Sequence, residues 1–406
     1  MANVLGIVAE YNPFHNGHIY HIQKAKENAN AEYTVAIMTG NFTQRGNTSI
    51  INKWEKTKMA LSSIVDLVIE LPTIYSISSA ENFADGSVKI LKELKFITHI
   101  SFGMEASNIA DLNKIASILV DEPEEFSEII KKELKEGNSY PKARENALVK
   151  YTQNFQYGEI VSGSNNILAI EYLKAIKRQK ANIIPVGVKR EKVFYNSSKI
   201  VDEYASSTGI RNLLIKKNFD EINKVVPSTT FDILLDNIKN GTFIPDISTY
   251  SIPIIYKLRT MTKQQIADLP EVSEGLENLI ISSVSQTNNL NELIDMIKSK
   301  RYTKTKIQRI LLYALLGITK QDMELSNKVV PYIRVLGCNN NGKTLISQIE
   351  KHTKVITSLK RFEKGNINKK LARLLEIDKK ATDIYTIGYL KNSKTGLDYT
   401  KGMIIQ

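Results

Sequence analysis

Apolar and polar positions follow two distinct rhythms along the first half of the chain. Short unbroken apolar runs at 4–9, 33–39, 66–70, 99–102 and 182–186 have the length and β-branched content of strands buried on both faces. Between them, apolar residues recur every three or four positions over 19–29, 53–64, 80–94, 108–119 and 167–180, the spacing of a single buried helical face. Strand and helix in regular succession predict parallel βαβ units with both faces of the sheet covered, an α/β fold. The polar, charged stretch 121–158 predicts helices inserted at the edge of the sheet or over a site.

The rhythm changes after about residue 217. Helical periodicity continues at 220–225, 231–240, 251–259, 274–284, 290–299 and 305–316, with no parallel strand between. Then 332–336 and 354–357 read as strands around a helix at 345–352, and a basic helix follows at 368–376. The expected organisation is an α/β domain over 1–217, a mainly helical region over 218–327 and a small basic α/β segment over 328–406.

Composition is that of an ordinary globular chain, 42% hydrophobic and 24% charged. It holds no apolar run long enough to cross a bilayer, so no membrane association is expected. The first residues enter a strand at once, without the basic and apolar blocks of a secretory leader. The lone Cys338 rules out an internal disulfide and fits a reducing cytoplasm. Charge adds an asymmetry: residues 1–215 carry 25 basic and 24 acidic side chains, and residues 216–406 carry 30 and 19. A basic second half fits a polyanionic partner, nucleic acid above all. Its clusters run through Lys298, Lys300, Arg301, Lys304, Lys306 and Arg309, and again around Lys360 and Arg361. Tyr302 lies within the first, where an aromatic ring can stack an exposed base.

Candidate chemistry concentrates in Glu10-Tyr11-Asn12-Pro13-Phe14-His15-Asn16-Gly17-His18, between the first strand and the first helix. That junction is where open α/β sheets bind nucleotides. Two imidazoles can donate hydrogen bonds to phosphate oxygens, and a helix N-terminus adds unpaired N–H groups and partial positive charge. A second phosphate signal, Ser206-Ser207-Thr208-Gly209-Ile210-Arg211, opens another helix: hydroxyls cap its first turn and an arginine can grip phosphate bidentately. His15, His18 and His21 are spaced by three, but Gly17 and the lack of a nearby fourth ligand favour phosphate over zinc, so no protein-bound metal is expected. Gly337-Cys338-Asn339-Asn340-Asn341-Gly342-Lys343-Thr344 fits the P-loop pattern, yet too little chain follows for a P-loop domain. A plain strand-to-helix turn is expected there, with a backbone nest for an RNA phosphate as a further option.

Together, the His-x-Gly-His turn and the Ser-Thr-x-x-Arg helix resemble the nucleotidyltransferase superfamily, whose Rossmann-like domain transfers adenylyl groups from ATP. Further segments narrow the likeness: Thr39-Gly40-Asn41-Phe42-Thr43-Gln44-Arg45-Gly46, Asp66-Leu67-Val68-Ile69-Glu70-Leu71-Pro72, Ser79-Ala80-Glu81-Asn82-Phe83-Ala84 and Phe102-Gly103-Met104-Glu105. With the first turn, they resemble the bacterial tRNA(Met) cytidine acetate ligase family over essentially the whole chain. That resemblance implies activation of acetate with ATP, magnesium accompanying the nucleotide, to acetyl-adenylate. It further implies transfer of the acetyl group to N4 of the wobble cytidine of elongator tRNA(Met). It assigns catalysis to His15 and His18. It places ATP along Ile7, Val8, Ala9, Glu10, Tyr11, Asn12, Pro13, Phe14, His15, Asn16, Gly17, His18, Ile19 and Tyr20, with Gly103, Asn165, Arg190, Ser207, Thr208 and Arg211. The basic clusters of the second half, rather than the resemblance, place tRNA on Arg301, Lys304, Lys306, Arg309, Lys360 and Arg361, and no obligate protein partner is expected. The chain departs from the family at Ser164, where proline is common, and at Asn196 after Tyr195, where histidine is common. The other function these residues allow is an adenylyltransferase acting on a phosphorylated small molecule with release of pyrophosphate, for which the basic second half would be idle.

Overall fold

A computed structural model describes residues 2–189, 204–299, 301–365 and 367–406. Strand β1 (Val4–Ala9) leads to helix α1 (Asn16–Ala29), β2 (Tyr33–Thr39), α2 (Lys53–Leu61), β3 (Leu67–Leu71), the single turn α3 (Thr73–Ser76), α4 (Ala80–Glu93) and β4 (His99–Met104). Helices α5 (Ile109–Asp121), α6 (Glu124–Lys135), α7 (Tyr140–Thr152), α8 (Gln156–Ser162) and α9 (Ser164–Arg178) precede β5 (Ile184–Lys189). A helical stretch follows: α10 (Ser207–Ile215), α11 (Phe219–Val225), α12 (Ser228–Lys239), α13 (Ser251–Thr260), α14 (Lys263–Ala267), α15 (Leu276–Val284), α16 (Leu290–Ile297), α17 (Lys304–Leu316) and α18 (Lys320–Asn327). The chain closes with β6 (Ile333–Cys338), α19 (Asn340–Ile349), β7 (Val355–Ile356), α20 (Leu359–Glu363), α21 (Lys369–Ile387), α22 (Leu397–Thr400) and β8 (Ile404–Ile405).

The strands form one sheet in the order β5-β4-β1-β2-β3-β6-β7, with β8 beside β6. The first five are parallel, and Leu5 pairs with Thr34 on one side and His99 on the other. From β1 the chain steps outward through β2 and β3, then returns to lay β4 and β5 on the opposite flank, so strand order reverses between β1 and β4. The crevice at the carboxyl ends of those two strands is where such sheets receive ligands.

Alternation along the strands supplies two cores. Val4, Val35, Ile37, Leu67 and Ile69 face one side, where they share a cluster with α4, α5, α9 and also with α13, α15, α16, α17 and α21. Leu5, Ile7, Ala36, Met38 and Val68 face the other, against α1, α2, α10 and α11. The helical region therefore has no separate core: it is divided between the two faces of the sheet. The last segment likewise adds to the same sheet, because β6 runs antiparallel along β3, pairing Leu67 with Cys338 and Ile69 with Val335. It covers what would otherwise be an open edge.

That seam is fastened by buried charge. Lys53 Nζ lies 2.8 Å from Glu70 Oε1 and 2.7 Å from Asp398 Oδ1, while Arg334 reaches Asp398 Oδ1 at 2.6 Å and Glu70 Oε2 at 3.3 Å. Nearby, Asp378 accepts from the Thr73 amide at 2.7 Å and from the Tyr332 hydroxyl. Burial pushes the Asp378 carboxyl up to about 6. Against the same desolvation, Lys53 and Arg334 hold Asp398 at about 2.

Most element boundaries lie within three residues of expectation; α19 begins five residues early, at Asn340, and two further differences are instructive. The helix expected at 368–376 extends to Ile387. Its buried stripe continues through Asp378, Ala381, Thr382, Tyr385 and Thr386, and the polar members hide that continuation from an apolar pattern. Helix α1 begins at Asn16 rather than Ile19, which places Gly17 and His18 inside its first turn.

Candidate active site

Strand β1 ends in a turn through Tyr11, at φ +46°, and a cis Asn12–Pro13 peptide. Tyr11 and Phe14 are buried and meet edge-to-face at 4.8 Å between ring centroids. His18 rests on both, at 5.0 Å from Tyr11 and 5.5 Å from Phe14. The His15 and His18 rings stack at 3.7 Å. The His15 amide donates to His18 Nδ1 at 3.1 Å, which caps the helix and, in the neutral ring, leaves the proton on Nε2. An aromatic floor and a backbone hydrogen bond thus fix the orientation of His18. His21, one turn on, pairs its Nε2 with Ser101 Oγ at 3.0 Å and ties α1 to β4. Residues Ile7 to Tyr20 thus span the end of β1, the turn and the first turns of α1.

The second motif closes on the first. Ser206 caps α10 by accepting from the Gly209 amide at 3.0 Å. Ser207 Oγ stands 3.1 Å from His15 Nε2. Arg211 donates to the Asn12 carbonyl at 2.9 Å and to Thr208 Oγ1 at 2.9 Å. Burial lowers the Arg211 guanidinium from its usual value, Glu10 opposes that shift and Arg45 adds to it. Histidines and helix start, far apart in sequence, form one hydrogen-bonded unit.

The third element is the stretch whose glycine-bounded, polar segment Gly40–Gly46 reads in sequence as a loop at the carboxyl edge of the sheet, able to contact acetate or the cytidine. The loop from Gly40 to Ile50 is stapled to the β1–α1 turn: the Gln44 amide donates to Glu10 Oε1 at 2.8 Å, Asn12 Nδ2 to the Thr48 carbonyl at 3.2 Å, and the Ile50 amide to Asn12 Oδ1 at 2.8 Å. The fully buried Lys56 locks the arrangement, donating to the Glu10 carbonyl at 2.9 Å, the Thr39 carbonyl at 2.8 Å and Ser49 Oγ at 3.0 Å. Desolvation pushes its ammonium down to about 7. The available signal was its position on the inward stripe of α2, between Lys53 and Ala60. Gly46, at φ +74°, sits where a Cβ would meet the Arg309 amide at 2.5 Å, so only glycine lets the loop rest on α17.

The remaining residues are placed as follows. Gly103 lies in β4 opposite Val188 of β5. Asn165, at the start of α9, donates through Nδ2 to Glu105 Oε1 at 2.6 Å, and Asn166 Oδ1 accepts from the Glu105 and Ala106 amides at 2.8 and 3.0 Å. Arg190, Tyr195, Asn196 and Lys300 lie outside the described residues. Arg301 and Lys304 are exposed at the approach to α17, and Lys306 Nζ lies over the Tyr302 ring at 5.3 Å. Lys360 and Arg361 are exposed on α20. Arg309 departs from the expectation of an RNA-facing side chain: it is buried and forks onto Glu271 at 2.7 and 2.6 Å. The Gly337–Thr344 turn is filled from within. Asn339 accepts from the Gly342 amide at 3.0 Å, Asn339 and Asn341 donate to Asp66 Oδ1 at 2.9 and 3.1 Å, and a Cβ on Gly342 would lie 2.1 Å from the Asp66 carbonyl. It is a strand-to-helix turn packed on β3.

Residues 2–398 match the model of the HIGH Nucleotidyl Transferase family. The chain is 42% identical to the tRNA(Met) cytidine acetate ligase of Thermoanaerobacter sp. (strain X514) over 406 residues, 99% of each. It is also 42% identical to the ligase of the same name from Acetivibrio thermocellus over 414 aligned positions, again 99% of each. Among solved structures, apo Thermotoga maritima TmcAL superposes with a TM-score of 0.95 at 31% identity, and the same protein bound with alpha-thio ATP with 0.93 at 30%, each covering 99% of both chains.

Proposed function

The chain belongs to the HIGH nucleotidyl transferases and, among them, to the tRNA(Met) cytidine acetate ligases, and from that membership and the geometry of its site we propose the following reaction. The protein is an ATP-dependent ligase that acetylates N4 of the wobble cytidine of elongator tRNA(Met). In the first step an acetate oxygen attacks the α-phosphorus of ATP, the bond to the bridging oxygen breaks, and pyrophosphate leaves. In the second, the cytidine N4 attacks the acetyl carbonyl, AMP departs, and N4 gives up a proton.

The observation that carries the reading is the contact of His15 Nε2 with Ser207 Oγ at 3.1 Å. It joins the histidine pair to the start of α10, so donors for the α-phosphate and for the departing pyrophosphate line one crevice. His18, held by its Nδ1, presents an N–H from Nε2 to the charge that builds on the α-phosphate. Arg211 and the α10 amides hold the outer phosphates. The work is electrostatic: none of these side chains needs to form a bond to substrate. Magnesium arrives with ATP as its counter-ion. Exposed Arg301, Lys304, Lys360 and Arg361, with half-buried Lys306, supply positive charge for the RNA backbone, and their sequence-independent attraction positions the anticodon stem rather than reading it.

The test uses purified protein, ATP with magnesium, isotopically labelled acetate and bacterial tRNA lacking the modification. Labelled N4-acetylcytidine in the digested tRNA is the expected result. Pyrophosphate release without labelled nucleoside would retain the nucleotidyltransferase site and overturn either the acid or the acceptor.

A further inference from the structure

The loop tied to the β1–α1 turn is almost wholly internal. From Asn41 to Ile50 each residue is buried or half-buried except Arg45, which is exposed. Its two neighbours are fixed. The Gln44 amide is held by Glu10 and its side chain donates to the Ser78 carbonyl at 3.0 Å, while Gly46 rests on the backbone of α17. A long cationic side chain thus projects from a rigid perch. Arg211 is moored to the Asn12 carbonyl, two residues beyond Glu10, so both residues are tied to the same three-residue turn, Arg211 directly and Arg45 through its neighbour Gln44. The like charge of Arg45 is felt at Arg211 and depresses its affinity for a proton. Among the described residues neither guanidinium is in an ion pair, and Glu10, the acidic neighbour of Arg211, already accepts from Gln44. Two cations near enough to influence each other, beside a helix N-terminus and with the Glu10 carboxylate already hydrogen-bonded to Gln44, fit a multiply charged anion.

Building on the adenylation reading above, we propose that Arg45 is a second phosphate-binding guanidinium of the nucleotide site, holding with Arg211 the β- and γ-phosphates of ATP and then the pyrophosphate that leaves. Arg211 approaches from α10 and Arg45 from the loop after β2, so together they orient the leaving group away from the incoming carboxylate. Because its perch is built from Glu10 and Asn12, the grip of Arg45 is set by the same turn that sets His15 and His18.

Calorimetric titration of the full chain with ATP and with AMP tests this without acetate or RNA. It therefore reads out even if the acid or the acceptor proposed above is wrong. Arg45→Gln is expected to weaken ATP binding about tenfold or more while AMP binding stays within about twofold, and Arg45→Lys is expected to recover part of the loss. Equal loss of ATP and AMP, or no change in either, overturns the proposal. A parallel titration with tRNA separates the other source of phosphate: loss of tRNA affinity with ATP affinity intact would assign Arg45 to the RNA backbone and also overturn it. Should the glutamine variant not fold, the lysine variant carries the comparison alone.

Discussion

The two histidines of the first turn are held in different ways, and that difference defines what each can do. His15 is bridged to Ser207, and His18 is seated on Tyr11 and Phe14 with its Nδ1 occupied by a backbone amide. Replacing either with alanine is expected to lower acetate-dependent exchange of labelled pyrophosphate into ATP by about 10²–10³-fold, with tRNA affinity unchanged within about twofold. Parallel loss of both would contradict the separation of chemistry from RNA binding. Lys56 gives a pH dependence of known sign. Its ammonium titrates near 7 in the folded protein because of burial, and near its ordinary 10.5 when unfolded. The unfolded chain therefore binds more protons between those values, so the penalty is full below about 7 and is relieved as pH rises towards 10. In melting experiments the advantage of the native protein over Lys56→Met is expected to grow from pH 6.5 to pH 9; a constant difference would show that Lys56 keeps its proton throughout. The histidines and Arg211 were legible because short motifs encode them. Lys56 was not, because a hydrophobic pattern reads lysine as solvent-facing, whereas here three oxygens converge on it inside the protein.

At the level of elements, the site depends on helix starts more than on helix interiors. Helices α1 and α10 both begin at the crevice; the start of α10 was visible in sequence as hydroxyl residues ahead of an apolar stripe, whereas α1 begins three residues before its stripe, where His15 and His18 cap each other. Ser206→Ala removes the cap of α10 and is expected to cost about 1 kcal/mol in denaturant unfolding. The same variant is expected to weaken ATP more than AMP, since the proposed reaction assigns the amides it loosens to the outer phosphates. Helix α17 separates two kinds of arginine and lysine that sequence alone lumped together. Lys304 and Lys306 sit in its first turn, the first exposed and the second partly so, and glutamine at either is expected to reduce the salt dependence of tRNA binding by about one unit of slope while leaving adenylation intact. Arg309, one turn further, is locked to Glu271. Arg309→Gln is expected to cost on the order of 2 kcal/mol of stability and to leave that slope unchanged. Helical period identified the face that is buried but could not say that Glu271, from a distant turn, would claim the arginine. The length of α21 escaped for a related reason: Asp378 and Thr382 occupy its inward stripe because they bond to other parts of the chain, and Thr386 because its hydroxyl is satisfied by the Asp383 carbonyl within the helix.

For the whole molecule, the alternating pattern of the first half was enough to anticipate a parallel sheet and the crevice where its order reverses. The antiparallel addition of β6 beside β3 was not, since nothing local to either strand names its partner. What specifies that pairing is the shared cluster of Lys53, Glu70, Arg334 and Asp398, contributed by four separate segments. Asp398→Ala leaves two buried cations short of a partner and is expected to destabilise the fold by about 3–5 kcal/mol, measured by urea unfolding. Excess positive charge in the second half and a neutral first half fit one division of labour, with chemistry in the sheet and RNA attraction around it. The pairing of β3 with β6 also has a consequence for how the protein is made. On the ribosome β3 emerges long before β6, and through that interval its outer edge has no neighbour from its own sheet. A transcript broken before the β6 codons would therefore yield a chain with an open edge, prone to recruit strands from other molecules. Rapid disposal of such products would matter to the cell quite apart from any lost acetylation.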